Sequence, residues 1–289
     1  MPEHRHIGEP ERAAILQSLA AKGFCVVEDF AGGALLADLN TEFAQCIERG
    51  GPGIRQGSRP RRPAATIRVD RASPALLPAI LGTFASRDLG QIAREYVAAA
   101  TTINDRIKAT WDRRPGKITD VHFDSRRALK FFLYLCDTTE SNGALRYAAG
   151  SHRANTAIRA RHLRRGGRLM DVPNVALPNE DLTFDTLEGG RGTLLVFDTD
   201  GFHAPTLLTS GEERKVLRAR TLFPGQSRSP KPPTWQWLRT TRLNPYSWWG
   251  EELPEARRPR TQGTARARPR ARESHPAQRA SETDRPPGN

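Results

Sequence analysis

The chain has 289 residues, 37% of them hydrophobic, which is enough for one large β-rich domain or two small ones with a buried core. A formal net charge of +13 raises nucleic acid, an anionic surface or an acidic small molecule as partners, through counterion release or direct pairing. Three cysteines, Cys25, Cys46 and Cys136, are too few and too scattered for a disulfide framework or a thiolate zinc site, and no run approaches the roughly 20 apolar residues of a membrane span, so a soluble, cytoplasmic protein is expected.

Residues 11–21 place Ile15, Leu16 and Leu19 near one helical face; Gly23 ends that helix and 24–27 reads as a short strand. Residues 35–47 again have helical spacing, and 50–63 is a loop rich in Gly, Pro and Arg. Two more helical patterns follow at 74–84 and 88–98. At 101–111 Ile103, Ile107, Ala109 and Trp111 fit strand alternation, although their spacing also fits a helix. Short strands then dominate, at 118–124, 128–136, 144–148, 192–197 and 214–223, separated by the turn sequences Ser141-Asn142-Gly143, Gly189-Gly190 and Ser210-Gly211. Helices followed by short strands with Gly-rich turns imply an antiparallel double sheet with helical support outside it. The Trp-rich segment 230–249 is expected to return and cover the barrel as core.

From 255 to 289 there is no aromatic residue and no Val, Ile, Leu or Met, so the tail is expected to be disordered beyond a domain spanning 1–254. Nine Arg against four acids give the tail +5 of the +13 and leave the body at +8. No aromatic side chains interleave with those arginines, so base stacking has no source there and nucleic acid is not expected as a partner.

Chemistry concentrates in Thr119-Asp120-Val121-His122-Phe123-Asp124. In a strand, side chains at i and i+2 lie on one face, so His122 and Asp124 can reach one ion. His203 follows a strand and a polar turn and can close the site. Two His and one carboxylate leave three positions of an octahedral ion open, the arrangement that suits non-haem Fe(II) in O2 chemistry. A chelating 2-oxoacid fills two of them, and its distal carboxylate needs a cation with bidentate geometry. Arg214, eleven residues after His203, is the candidate anchor, with Arg218 as its substitute.

These pieces resemble the phytanoyl-CoA dioxygenase-like branch of the Fe(II)/2-oxoglutarate-dependent oxygenases. The resemblance rests on the entry at 23–30 (GFCVVEDF), the His122-x-Asp124 pair and Leu133-Tyr134-Leu135-Cys136-Asp137. It continues through Asn142-Gly143-Ala144-Leu145 into Gly150-Ser151-His152 and ends with His203 and Arg214. It implies a double-stranded β-helix, or jelly roll, with the site in its mouth. It also implies Fe(II) held by His122, Asp124 and His203, 2-oxoglutarate anchored by Arg214, and O2 as the second co-substrate. Family members that halogenate have Gly or Ala where Asp124 stands, so a hydroxylating or otherwise oxidising member is expected.

His152 resembles a structural turn residue of that family, and His162 lies among Arg159, Arg161, Arg164 and Arg165 in a basic helix or loop read as solvated. Alternation from Arg214 puts Val216, Arg218 and Arg220 on one face, so Arg218 and Arg220 are candidates for contact with an anionic small-molecule substrate, unless they pair with acids on neighbouring strands. Lys130 is a further candidate for contact with co-substrate or substrate. Two alternatives stand beside this reading: a jelly-roll protein with another metal or no catalysis, and a basic nucleic-acid-binding protein acting through its tail. Substrate identity and oligomeric state are not readable from the sequence.

Overall fold

The computed structural model describes residues 5–57, 63–98, 106–116, 118–166, 182–209 and 211–223. All of these belong to the first of two units, Met1–Glu252. The segment 230–249, expected to cover the barrel, and the tail at 255–289 lie outside the described residues.

Helix α1 (Glu9–Lys22) buries Ile15 and Leu19 and stops at Gly23, whose φ of 90° lets its N–H reach the Leu19 carbonyl at 2.9 Å. A side chain there would strike the Tyr147 hydroxyl and the His152 ring, so Gly23 is required for packing as well as for the turn. The chain then enters β1 (Phe24–Val27) and α2 (Gly33–Glu48), as the periodicity predicts. The loop expected at 50–63 contains β2 (Ile54–Gln56), and β3 (Ala64–Arg68) follows directly. Helices α3 (Pro78–Phe84) and α4 (Arg87–Val97) match the two helical patterns. The first backbone N–H groups of α3 are capped from another helix: Ala79 and Ile80 donate to the Glu42 carboxylate at 2.8 Å each. The ambiguous stretch resolves as strand β4 (Arg106–Asp112).

The remaining elements are β5 (Ala128–Tyr134), β6 (Leu145–Tyr147), α5 (Ser151–Arg164), β7 (Asp185–Leu187), β8 (Leu194–Asp198), β9 (His203–Pro205) and β10 (Arg214–Leu222). They form two antiparallel sheets, a seven-stranded one of order β1-β8-β5-β10-β4-β3-β2 and a three-stranded one of order β7-β6-β9. This is the cupin-like double-stranded β-helix that the strand pattern and the resemblance implied.

The central strands of the large sheet are buried on both faces. Outward-pointing Leu129, Phe131, Leu133, Val196, Leu217 and Ala219 pack with Leu19, Leu39, Phe43, Ile80 and Ile92 of the helices. Inward-pointing Phe132, Tyr134, Leu195, Phe197 and Val216 meet Leu145, Tyr147 and Leu187 of the small sheet. Each of these larger side chains contributes about 1.5–3 kcal/mol by burial. That double burial gives β5 and β8 their nearly continuous apolar sequences.

Two elements depart from the sequence reading. The strand expected at 118–124 is reduced to a single isolated bridge, His122 to His203. Helix α5, unforeseen as a helix of this length, buries His152, Asn155 and Arg159. A polar buried face leaves no apolar periodicity to read.

Candidate metal centre

His122 and His203 exchange both backbone hydrogen bonds, at 3.1 and 2.8 Å, and Asp124 N donates to Thr199 O at 2.9 Å. The two segments are therefore stitched together at the points where the candidate ligands leave the backbone. Between the ligands, Phe123 points to the opposite face and packs edge-on against Phe202 at 5.6 Å.

Each imidazole has its tautomer set by a carbonyl, which can only accept. His122 Nδ1 donates to Asp120 O at 2.7 Å and His203 Nδ1 to Gly201 O at 2.8 Å. The lone pair of each ring is thereby placed on Nε2. The two Nε2 atoms lie 3.7 Å (His122) and 3.9 Å (His203) from Asp124 Oδ1. Either separation is shorter than two metal–ligand bonds of about 2.1 Å laid end to end. The ligand atoms of all three residues lie within 4.8 Å of one another. His203 Nε2 is buried with no hydrogen-bond partner, a costly state unless something electrophilic meets it. These donors fit a divalent ion.

The local electrostatics agree. Burial pushes His122 down to about 4, with Asp124 opposing and Lys130 assisting, and burial together with His122 and Lys130 holds His203 well below the ordinary imidazole range. Both rings are therefore neutral, as ligation requires. Burial alone would raise the Asp124 carboxyl, but the charge around it, that of Lys130 foremost, holds its pKa below the ordinary value. Lys130, on β5, donates to Asp124 Oδ2 at 2.8 Å, and its own pKa is lowered by burial against the pull of Asp124.

The cations of β10 are spread along the inner face. Arg220 is paired in register with Lys130, Arg218 with Phe132 on one side and Lys108 on the other, and Arg214 with Asp112. Arg214 is 2% exposed; its Nε and Nη2 donate to Asp112 Oδ2 at 3.1 and 2.8 Å, and its Nη1 donates to Gly143 O. Those contacts use three of its five N–H donors. The Arg218 guanidinium lies 5.3 Å from the Phe132 ring centre and donates to Thr110 Oγ1. His152 sits away from the triad in α5, buried against Gly23.

Three participants escaped the sequence reading. Asp112 and Asp200 carry no motif, and Arg159, grouped with Arg161, Arg164 and Arg165 as solvated, is 3% exposed while those three are exposed. The signal that could have separated Arg159 is its helical spacing of four from Asn155 and seven from His152.

A double-stranded β-helix carrying a His-x-Asp…His triad in its mouth defines the class: the iron- and 2-oxoglutarate-dependent oxygenases. Within it, the chain belongs to the phytanoyl-CoA dioxygenase (PhyH) family, whose profile matches residues 19–216. A search of curated proteins by sequence finds no match.

Several solved structures share the fold. EctD from S. alaskensis in its apoform is 17% identical with a TM-score of 0.55, covering 80% of this chain and 83% of its own. HygX from Streptomyces hygroscopicus, with nickel and 2-oxoglutarate bound, is 18% identical with a TM-score of 0.53, covering 77% and 92%. The non-heme alpha ketoglutarate dependent epimerase SnoN from nogalamycin biosynthesis is 11% identical with a TM-score of 0.54, covering 78% and 95%. No helix among the described residues is long and apolar enough to cross a membrane.

Proposed function

We propose that this protein hydroxylates an anionic small molecule, coupling the oxidation to conversion of 2-oxoglutarate and O2 into succinate and CO2. The observation that carries the reading is the convergence of His122 Nε2, His203 Nε2 and Asp124 Oδ1, with His203 Nε2 buried and otherwise without a partner. When bound there, Fe(II) with 2-oxoglutarate supplies the activation of O2 that no side chain can provide.

The chain's own residues supply geometry and charge. His122, Asp124 and His203 hold the ion, and the Asp120 and Gly201 carbonyls orient the imidazoles. Arg214 meets the distal carboxylate of 2-oxoglutarate, already oriented by Asp112 and Gly143 and with two N–H donors to spare. Arg218 and Arg220, nearer the Asp124 end of the face, meet an anionic group of the substrate, and Lys130 provides a second cation for either partner. Phe132, Phe197 and Tyr147 line the apolar interior and exclude water.

The test is anaerobic addition of Fe(II) and 2-oxoglutarate, followed by the visible charge-transfer band of the chelate. O2-dependent succinate release is then measured across a panel of carboxylates and phosphate esters. A folded protein that develops no band would sink the reading and return the other-metal and non-catalytic jelly rolls to the front. The SnoN comparison names an epimerase on this fold, so product analysis decides between hydroxylation and another oxidative outcome.

A further inference from the structure

We infer that Arg159 of α5 is a positioning residue for the metal site, holding both ligand-bearing segments through one guanidinium. This deepens the proposed metal-centre reading and rests on it. Arg159 Nη2 donates to the backbone carbonyl of Asp124, the carboxylate ligand, and Nη1 donates to that of Ser125. Its Nε donates to Asp200 Oδ1 at 2.8 Å, and Nη2 shares the same oxygen. Asp200 immediately precedes Gly201, whose carbonyl fixes the tautomer and tilt of His203.

The same helix secures Asp200 twice more: Thr156 Oγ1 donates to Oδ2 at 2.8 Å and Asn155 Nδ2 to the backbone carbonyl at 2.7 Å. The guanidinium also lies 5.5 Å from the ring centre of Phe123, which is set between His122 and Asp124. Asp200 is fully buried and Arg159 nearly so.

The physical argument concerns rotation. The Asp124 carbonyl sets the peptide plane that follows the ligand, and with it the direction in which the carboxylate leaves the chain. The Asp200–Gly201 segment does the same for His203. A planar fork can satisfy acceptors on both segments at once, whereas a lysine ammonium has one nitrogen and no fixed plane. Loss of the fork frees each ligand to turn, and partners of this kind typically change metal affinity by about 10- to 100-fold.

The experiment is an anaerobic Co(II) titration of the full chain, read by the d–d absorption of the ion. It compares wild type, Arg159→Lys, Arg159→Met and Thr156→Val. Glu42→Ala, which removes the α3 cap far from the triad, serves as a control for general loss of stability. Circular dichroism and melting without metal are recorded for each. The expected result is Co(II) affinity lowered by about 10- to 100-fold in both Arg159 variants, with an altered band shape, and a smaller loss in Thr156→Val. Glu42→Ala should melt earlier yet bind Co(II) like wild type. Wild-type affinity in a folded Arg159→Lys protein overturns the inference. Should both Arg159 variants fail to fold, the decision passes to Thr156→Val, where unchanged affinity overturns it. Failure of the wild type to bind Co(II) would sink the metal-centre reading itself, an outcome separate from the others.

Discussion

Lys130 Nζ lies 2.8 Å from Asp124 Oδ2, while Oδ1 of the same carboxylate lies 3.7 and 3.9 Å from Nε2 of His122 and His203. The lysine therefore occupies one oxygen and leaves the other for an ion, which favours a carboxylate that binds through one atom. It also sets a positive charge beside the place a divalent cation must enter. Lys130→Met is expected to bind Co(II) at least as tightly as wild type in the absence of 2-oxoglutarate, because that repulsion is gone. The same variant should need about 10-fold more 2-oxoglutarate, the size of one charge-assisted hydrogen bond. Parallel titrations of metal and co-substrate check both halves.

Asp124→Ala removes the carboxylate of the triad and leaves a buried and a half-buried imidazole, both neutral, beside each other. Succinate formation is expected to fall below detection, and Co(II) affinity to drop by at least 100-fold. Turnover within a few-fold of wild type would move the metal elsewhere.

Arg214→Ala should raise the 2-oxoglutarate concentration required by about 10- to 100-fold and leave Fe(II) binding intact, since an Arg–carboxylate pair is worth about 1.5–3 kcal/mol. Steady-state kinetics with varied 2-oxoglutarate decide it. An unchanged requirement in Arg214→Ala, with an increase in Arg218→Ala, would transfer the anchor four residues along β10 and leave the Arg214–Asp112 pair as a purely structural contact.

Most of the fold was legible because most of it follows apolar periodicity. Helices α1 and α2 show their buried stripes, and β5 and β8 show the apolar runs of strands covered on both faces. What stayed hidden has a common cause. Helix α5 buries His152, Asn155 and Arg159, so its inner face is polar, and hydrophobicity cannot distinguish Arg159 from its exposed neighbour Arg161. In the site, His122 and Asp124 were readable from strand alternation, and His203 from its order in the chain. The contact of Lys130 with Asp124 was not readable, because it depends on how the 118–124 segment crosses β5 in three dimensions.

Glu42→Ala should lower stability by about 1–2 kcal/mol, the usual worth of a helix cap, because Ala79 and Ile80 lose the acceptor for their N–H groups. Denaturant melts check this. Activity measured well below the melting temperature should be unaffected.

The metal-free protein should lose stability as the medium is acidified from pH 7 to pH 5. Burial lowers the pKa of His152 below its ordinary value of 6.5, and His122 is pushed down to about 4. Lowered imidazoles are neutral in the fold and protonate first in the unfolded chain. Their contribution is thus present above about pH 6.5 and is lost as the pH falls toward the folded values. Melting curves between pH 5 and 7 should show this slope, and His152→Gln should flatten it in part. An equal slope in the variant would mean that His152 does not take part.

The reciprocal backbone bonds between His122 and His203 join segments far apart in the chain. No fragment ending before the second histidine can hold that pair, and much of both sheets must be in place before the two meet. Ion uptake is therefore tied to completion of the fold. A bound ion rewards only chains that have closed, by a free energy that grows with its concentration. The centre then acts as a clasp on the assembled barrel, so metal-starved protein should open and be degraded sooner than protein made in metal-replete conditions.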